Sequence, residues 1–243
     1  MKKESEILAN LIDKAQFIVF FGGAGVSTGS GIPDFRSATG LYNRENKTNY
    51  SPETMLSYDF MVEHPEEFYT YKRENLHYPD AKPNQAHLAL ARLETAKPTT
   101  TIITQNIDGL HQAAGSKNVL ELHGSMRRFY CMKCHRDYPS ELVWEVNTAP
   151  YCPQCQALVR PDVVLYGEVL NNKVIRLAES AVRRADLMIV GGSSLVVYPA
   201  AGLLNYFKGG SLVLINRDST PYDDYASFVF HEDLSEILDQ AIP

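Results

Sequence analysis

Long apolar runs are missing from this chain: the longest before a glycine is Phe17–Phe21, far short of the ~18 residues a bilayer-spanning helix needs. Basic charge is also scarce. Of 243 residues, 23 are Lys or Arg against 29 Asp or Glu, a formal net charge of −6. After Arg217 there are seven acids and no Lys or Arg, so the rest of the chain is nearly neutral. With no basic face, nucleic acid is not an expected partner. The acidic tail reads as a solvated surface, with cationic proteins as the alternative partner. Behind Met1-Lys2-Lys3 there is no apolar segment, which argues against a secretory signal and for a cytoplasmic protein. Internal repeats and low-complexity tracts are absent. The 44% apolar and 21% charged content is that of an ordinary folded chain, long enough for one large domain with a small inserted module.

What the chain does have is an alternation of helical and extended patterns. Glu4–Ala15 sets Ile7, Leu8, Leu11, Ile12 and Ala15 on one stripe, the period of an amphipathic helix. Phe17–Phe21 then reads as a buried parallel strand. Similar runs recur at Thr100–Thr104, Val119–Leu122, Asp186–Val190, Ser211–Ile215 and Ser227–Phe230. Helical patterns lie at Asn84–Leu93, Asn172–Arg184, Pro199–Phe207 and Asp233–Ala241. This predicts an α/β fold built on a Rossmann-like, doubly wound, mostly parallel sheet. Two stretches interrupt it. Residues 34–83 are rich in Phe and Tyr without a convincing strand, and read as a loop plus short helices inserted after the first strand. Residues 126–157 hold every cysteine and the only tryptophan, and read as a small module, leaving 1–125 and 158–243 as the main domain.

Cys131-x2-Cys134 and Cys152-x2-Cys155, seventeen residues apart, have zinc-ribbon spacing: each pair puts two thiolates on a tight turn, and two turns complete a tetrahedron. Four Cys ligands leave no open position for a catalytic water, so the expected Zn²⁺ is structural. Two disulfides would need an oxidising compartment. Directly after the first strand, Gly22-Gly23-Ala24-Gly25 would let the backbone approach a pyrophosphate, with a following helix N-terminus supplying N–H groups. The dinucleotide fingerprint is only partly met, because Thr28 stands at its sixth position, and no P-loop Lys is present. Gly31–Arg36 then leads into the aromatic-rich insertion, which weakens a hydride-transfer reading and points to a loop that covers the cofactor. Polar sets follow other strands: Thr104-Gln105-Asn106-Ile107-Asp108, His123-Gly124, Gly191-Gly192-Ser193-Ser194 and Asn216. Ligands of open α/β sheets bind beyond the carboxyl ends of the strands, so these sets should converge on one crevice, although any one of them could be a helix cap. His123, at a strand end and titrating near neutrality, is the candidate acid or base.

In this order, GAGVS (Gly23–Ser27), GIPDFR (Gly31–Arg36), TQNID (Thr104–Asp108), His123-Gly124, the paired CxxC and GSSL (Gly192–Leu195) resemble the motifs of sirtuins across nearly the whole chain. The resemblance implies an NAD-dependent protein-lysine deacylase whose substrate enters between a Rossmann-like domain and a zinc ribbon. It implies NAD contacts from Gly23, Ala24, Gly25, Thr28, Asp34, Phe35, Arg36 and Gln105, and from Gly192, Ser193, Ser194, Asn216 and Asp233. Asn106, Ile107 and Asp108 would line the nicotinamide pocket, with Asn106 and Asp108 taking part in catalysis beside His123 as general base. Phe35 would part the departing nicotinamide from the sugar. Val163–Glu168 matches the segment that pairs with substrate as a strand, bringing Val164, Tyr166, Gly167 and Glu168 to the peptide, with Val197 on its other side. In the implied chemistry the amide oxygen of acyl-lysine displaces nicotinamide, His123 takes a ribose proton, and water releases lysine and O-acyl-ADP-ribose.

The chain departs from the family pattern in places. Gly22 and Ser193 stand where Thr is commoner, and Tyr166 where Phe is usual. Members that prefer succinyl-lysine carry a Tyr-x-x-Arg pair; here Tyr69-Thr70-Tyr71-Lys72 puts Lys72 in the Arg place, keeping the charge but losing the bidentate fork. Deacetylation is therefore favoured, and a deacylase preferring longer or acidic acyl groups stays open as an alternative. The rivals are an NAD-dependent protein ADP-ribosyltransferase, which would share every cofactor residue, and a non-catalytic zinc-ribbon binding module. Met126–Arg160 has five Lys or Arg against three acids, too slight an excess for nucleic-acid binding. The expectation is a cytoplasmic monomer acting on acyl-lysine proteins, with neither membrane nor nucleic acid as partner.

Overall fold

The computed structural model describes residues 2–37, 40–43 and 49–242, so residues 38–39 and 44–48 of the expected insertion lie outside the described residues. Its strands are β1 (Ile18–Gly22), β2 (Thr101–Thr104), β3 (Val119–Glu121), β4 (Gly124–Cys131), β5 (Asp137–Tyr138), β6 (Val159–Val163), β7 (Leu187–Gly191), β8 (Ser211–Ile215) and β9 (Phe228–Phe230). The helices are α1 (Lys3–Lys14), α2 (Pro52–Met55), α3 (Tyr58–Glu63), α4 (Pro65–Asn75), α5 (Gln85–Ala96), α6 (Leu110–Ala113), α7 (Ser140–Trp144), α8 (Asn172–Arg184) and α9 (Leu234–Ala241). Six strands form one sheet in the order β3-β2-β1-β7-β8-β9, with every neighbouring pair parallel. This is the doubly wound α/β sheet expected from the alternation.

Successive side chains of a strand point to opposite faces, and β1 uses both. Ile18 and Phe20 pack with Leu8, Leu90 and Leu238 of α1, α5 and α9, whereas Val19 and Phe21 pack with Val182 of α8 and with Leu203 and Leu204. Burial on both faces is why these strands read as unbroken apolar runs.

Two expected helices take another form. Pro199–Phe207 contains a 3₁₀ helix, Ala200–Tyr206, that still buries Ala200, Ala201, Leu203 and Leu204; Gly202 in its middle disfavours a regular α-helix. The glycine loop runs into two 3₁₀ turns, Ala24–Val26 and Thr28–Ser30, and not into a helix N-terminus. Gly25, Ser27, Thr28 and Gly29 are poor helix formers, which accounts for the difference.

The remaining strands form an antiparallel sheet, β5-β4-β6. No apolar run marks them in the sequence, because GSMRRFYC and VRPDV carry Arg and Asp in place of a Val/Ile stretch. The cysteine segment also does not pack alone. Phe129, Val143 and Val159 share one apolar core with Phe60, Phe68 and Tyr69 of the insertion helices. Among the described residues no helix is long and apolar enough to cross a membrane.

Candidate active site

The strand order reverses between β1 and β7: β1 leads outward to β2 and β3, β7 to β8 and β9. Connections leave the sheet in opposite directions there, which opens a crevice beyond the carboxyl ends of the strands. The glycine loop follows β1 and Gly192-Ser193-Ser194 follows β7, and the two touch. The Gly25 N–H donates to the Gly192 carbonyl at 2.8 Å, and a Cβ on Gly25 would lie 2.7 Å from Gly192 Cα. Gly192 itself sits at φ +59°, a conformation glycine adopts without cost. Gln105 bridges the same junction, its N–H on the Gly22 carbonyl at 3.0 Å and its Nε2 on Ser193 Oγ at 2.9 Å.

The cleft above this junction has a volume of about 1620 Å³, beyond the ~300–1,000 Å³ of a pocket for one small ligand. Its size fits a dinucleotide together with a peptide side chain. The structure brings the residues that the resemblance assigns to nucleotide, catalysis and peptide to its walls: Gly23, Ala24, Gly25, Thr28, Asp34, Phe35 and Arg36; Gln105, Asn106, Ile107 and Asp108; His123; Val164, Tyr166, Gly167 and Glu168; and Gly192, Ser193, Ser194, Val197, Asn216 and Asp233. Some of these shape the wall with their polar atoms. Asp34 Oδ1 accepts the Arg36 and Ser37 N–H groups at 3.0 and 2.8 Å. Asp233 caps α9 through Ser235 and Glu236 and pairs with Arg217.

Asn106, buried beside β2, donates from Nδ2 to Ser27 Oγ at 3.0 Å, and Ser27 Oγ donates to Asp108 Oδ2 at 2.7 Å. The Leu110 N–H holds the other Asp108 oxygen at 2.8 Å. Two residues that sequence reasoning passed over keep this set in place. Ser27 joins the loop after β1 to the loop after β2. Asn84, the N-cap of α5, donates from Nδ2 to the Val26 carbonyl at 2.8 Å and to Ser30 Oγ at 3.0 Å. The cap was legible as Asn before a helix; its reach to the glycine loop was not.

His123 ends the connection between β3 and β4. Its Nδ1 lies 2.9 Å from the Gln105 carbonyl, which can only accept, so Nδ1 carries the proton and Nε2 keeps its lone pair. Burial lowers the His123 pKa from 6.5, with the bond to Gln105 opposing. The ring is therefore neutral at pH 7 and able to take a proton through Nε2.

The segment after β6 is held on one side. The Val164 N–H donates to the His123 carbonyl at 2.9 Å, the Tyr166 N–H to the Leu56 carbonyl at 3.1 Å, and Tyr58 N–H to the Tyr166 carbonyl at 3.0 Å. Glu168 faces inward: Arg160, nearly buried, grips both its carboxylate oxygens at 2.7 Å, and the Leu165 N–H adds a bond at 2.9 Å. Its carboxylate thus braces the segment from behind. Sequence reasoning missed Arg160, whose lone position in VRPDV carries no signal of its partner eight residues on.

Tyr69 and Lys72 do not form a pair facing the cleft. Tyr69 is fully buried and donates its hydroxyl to the Val159 carbonyl, away from the cleft wall. Lys72 reaches the wall, yet it is 1% exposed and its Nζ has no hydrogen-bond partner among the described residues. Burial, with the Arg160 charge second, holds its pKa well below 10.5. An unpartnered buried amine destabilises the fold by about 1–3 kcal/mol. Lys72→Met, which keeps the chain length and removes the amine, should raise the melting temperature by roughly 2–12 °C at pH 7. Because the lowered pKa lets the unfolded chain bind the extra proton, wild-type stability relative to the variant should rise with pH until about 10.4. Urea midpoints of both proteins at pH 7 and 9.5 measure this; an equal or less stable variant at pH 7 would refute it.

The four cysteine sulfurs converge, all lying within 4.8 Å of one another. Cys131 Sγ is 3.4 Å from Cys155 Sγ and Cys134 Sγ 3.7 Å from Cys152 Sγ. A disulfide needs about 2.05 Å, whereas sulfurs at ~2.3 Å from one tetrahedral Zn²⁺ stand about 3.8 Å apart. The arrangement fits the metal and not the disulfides.

Comparison with known proteins agrees with this geometry. The Sir2 family matches residues 23–199. A Clostridium perfringens protein named NAD-dependent protein deacetylase is 52% identical over 236 residues, 97% of each chain. A solved Sir2 structure with a p53 peptide and NAD+ is 41% identical at a TM-score of 0.85, covering 98% of this chain and 96% of the other. Another, a Sir2 variant with a deacetylated p53 peptide and 3′-O-acetyl-ADP-ribose, is 41% identical at a TM-score of 0.89, covering 98% and 97%.

Proposed function

Because the chain belongs to the Sir2 family, we infer the work of this cleft from that membership: it is an NAD-dependent protein-lysine deacetylase. The acyl group of acyl-lysine passes to the ADP-ribose part of NAD, leaving nicotinamide, free lysine and O-acyl-ADP-ribose. The observation that carries the residue assignment is the neutral His123 with its Nε2 open, in one cleft with the Asn106–Ser27–Asp108 set and the segment Val164–Glu168.

When bound, NAD supplies the ribose carbon and the nicotinamide leaving group. The glycine loop and Gly192-Ser193-Ser194 lie where they can hold its phosphates and ribose. Thr28, Gln105, Asn216 and Asp233 complete that wall, with Asp34 shaping the loop that carries Phe35 and Arg36. Asn106, Ile107 and Asp108 would receive the carboxamide end, with Asn106 and Asp108 held in place by Ser27 and the Leu110 N–H, and polar groups fixed in this way act strongly in a site shielded from water. His123 Nε2 takes the ribose proton. With the Val164 and Tyr166 N–H groups directed to the protein, Gly167 would pair with the peptide backbone, and Val197 would close the opposite side. Pairing of this kind binds without reading much sequence. Cys131, Cys134, Cys152 and Cys155 would hold a zinc that braces the fold without entering the chemistry. Residues 126–157 form the small domain in this reading. In this reading the protein works in the cytoplasm as a monomer, on acyl-lysine proteins and not on nucleic acid.

The test is a mass-spectrometric assay with an acetyl-lysine peptide, with and without NAD, following peptide and nucleotide. NAD-dependent loss of acetyl with O-acetyl-ADP-ribose appearing is the expected result. An untouched peptide beside an ADP-ribosylated protein acceptor would overturn it in favour of the transferase.

A further inference from the structure

The loop between β1 and α2 folds back on itself. The Leu41 N–H donates to the Asp34 carbonyl at 2.8 Å and the Tyr42 N–H to the Phe35 carbonyl at 2.9 Å. Asn43 Nδ2 reaches the Arg36 and Ser37 carbonyls at 3.1 and 2.7 Å. The Tyr42 ring stands at the centre of this loop, edge-on to Phe35 with centroids 5.5 Å apart, and with the Arg36 guanidinium 5.4 Å from its own centroid. Out of the closed loop, the Tyr42 hydroxyl shares a hydrogen bond with the hydroxyl of Tyr166. Tyr166 belongs to the peptide-facing segment and is itself anchored through both backbone groups to Leu56 and Tyr58. The Tyr166 hydroxyl is the group by which this chain departs from the usual Phe, and the chemistry of acyl transfer leaves it without a task.

We propose that Tyr42 is a positioning residue: through the Tyr166 hydroxyl it ties the loop bearing Phe35 and Arg36 to the peptide-binding segment, so that nucleotide and acyl-peptide strengthen each other's binding. The proposal rests on the deacetylase reading of the cleft. Tyr42 touches the two loop residues assigned to the nucleotide, and Tyr166 lies on the segment assigned to the peptide. A ligand that orders one end of this link lowers the cost of ordering the other, and the coupling is equal in both directions. Burial, followed by the bond to Tyr166, raises the Tyr42 pKa above 10, so the phenol stays protonated and the link holds through neutral pH. One neutral hydrogen bond corresponds to about a threefold to tenfold effect.

The test is a double-substitution cycle on the full-length, zinc-loaded protein. ADP-ribose is the probe, since it lacks nicotinamide and does not react. Its dissociation constant is measured by calorimetry with and without saturating acetyl-lysine peptide, for wild type, Tyr42→Phe, Tyr166→Phe and the double variant. Each substitution removes a single oxygen and leaves the ring packing in place. In the wild type the peptide should tighten ADP-ribose binding. Either single variant should lose about threefold to tenfold of that tightening, and the double variant no more than either alone. Tightening that is equal in all four proteins, or losses that add in the double variant, would overturn the link. A wild type that binds no ADP-ribose would instead sink the deacetylase reading on which the proposal stands.

Discussion

His123→Ala should fold, bind NAD and retain zinc, yet turn over acetyl-lysine peptide about 10²–10⁴-fold more slowly, the usual contribution of a positioned base. The Gln105 carbonyl fixes the proton on Nδ1, so Nε2 is the one ring nitrogen with a free lone pair. Alanine removes that acceptor without disturbing the backbone, where the His123 carbonyl accepts from Val164 and Gly124 pairs with Val163. A second expected result concerns pH. The base works when deprotonated, so activity rises with pH through its pKa and then levels. Burial lowers that pKa from 6.5, so the acid limb of kcat/KM should have its midpoint below pH 6.5 in the wild type and be absent from the variant's residual rate. Steady-state kinetics between pH 5 and 8 check both. Turnover within tenfold of wild type, in a folded variant, would take His123 out of the base's place.

Stripping the metal should be nearly as damaging, through structure and not chemistry. Structural Zn²⁺ in small cysteine sites contributes about 10–16 kcal/mol of apparent binding free energy, and that free energy is coupled to folding. Here the effect travels a short distance. β4 starts one residue after His123 and ends at Cys131, and its partner β6 runs into the peptide-facing segment. The cysteine segment also shares its core with the insertion helices. Chelation at neutral pH should therefore release one zinc per chain and abolish deacetylation. Cys134→Ser, which removes an exposed ligand, should be purified with less than one zinc and melt at a lower temperature. Metal analysis, peptide turnover and thermal unfolding of the same samples measure this. A protein that is fully active after zinc is removed would refute the structural role.

Much of this molecule could be read before any contact was known. The alternation of buried strands and amphipathic helices depends on which face of each element is apolar, and that periodicity is written in consecutive residues. The main sheet followed from it, while β4 and β6 did not, because Arg127, Arg128, Arg160 and Asp162 interrupt the apolar residues that these strands bury. Helix form was less legible where tertiary packing decided it, as at Ala200–Tyr206, which buries the expected residues in 3₁₀ geometry. The convergence of the polar sets was foreseeable because parallel strands put their carboxyl ends on one edge.

The sequence by itself determined the α/β class, the four-sulfur metal site and the convergence of the polar sets that end the strands, since spacing along the chain and strand direction suffice for those; the other cleft residues were implied by the resemblance to sirtuins. Tertiary structure alone decided what each polar atom in the cleft is bonded to. Glu168 turns to Arg160, Tyr69 turns to the Val159 carbonyl, and Lys72 Nζ finds no hydrogen-bond partner among the described residues. The bonds that set these roles include pairs separated by 88 residues, as in Gln105–Ser193, and by 124, as in Tyr42–Tyr166. No local pattern encodes such a pair, because a hydrogen bond needs its two groups within about 3 Å, and only the packed chain sets that distance.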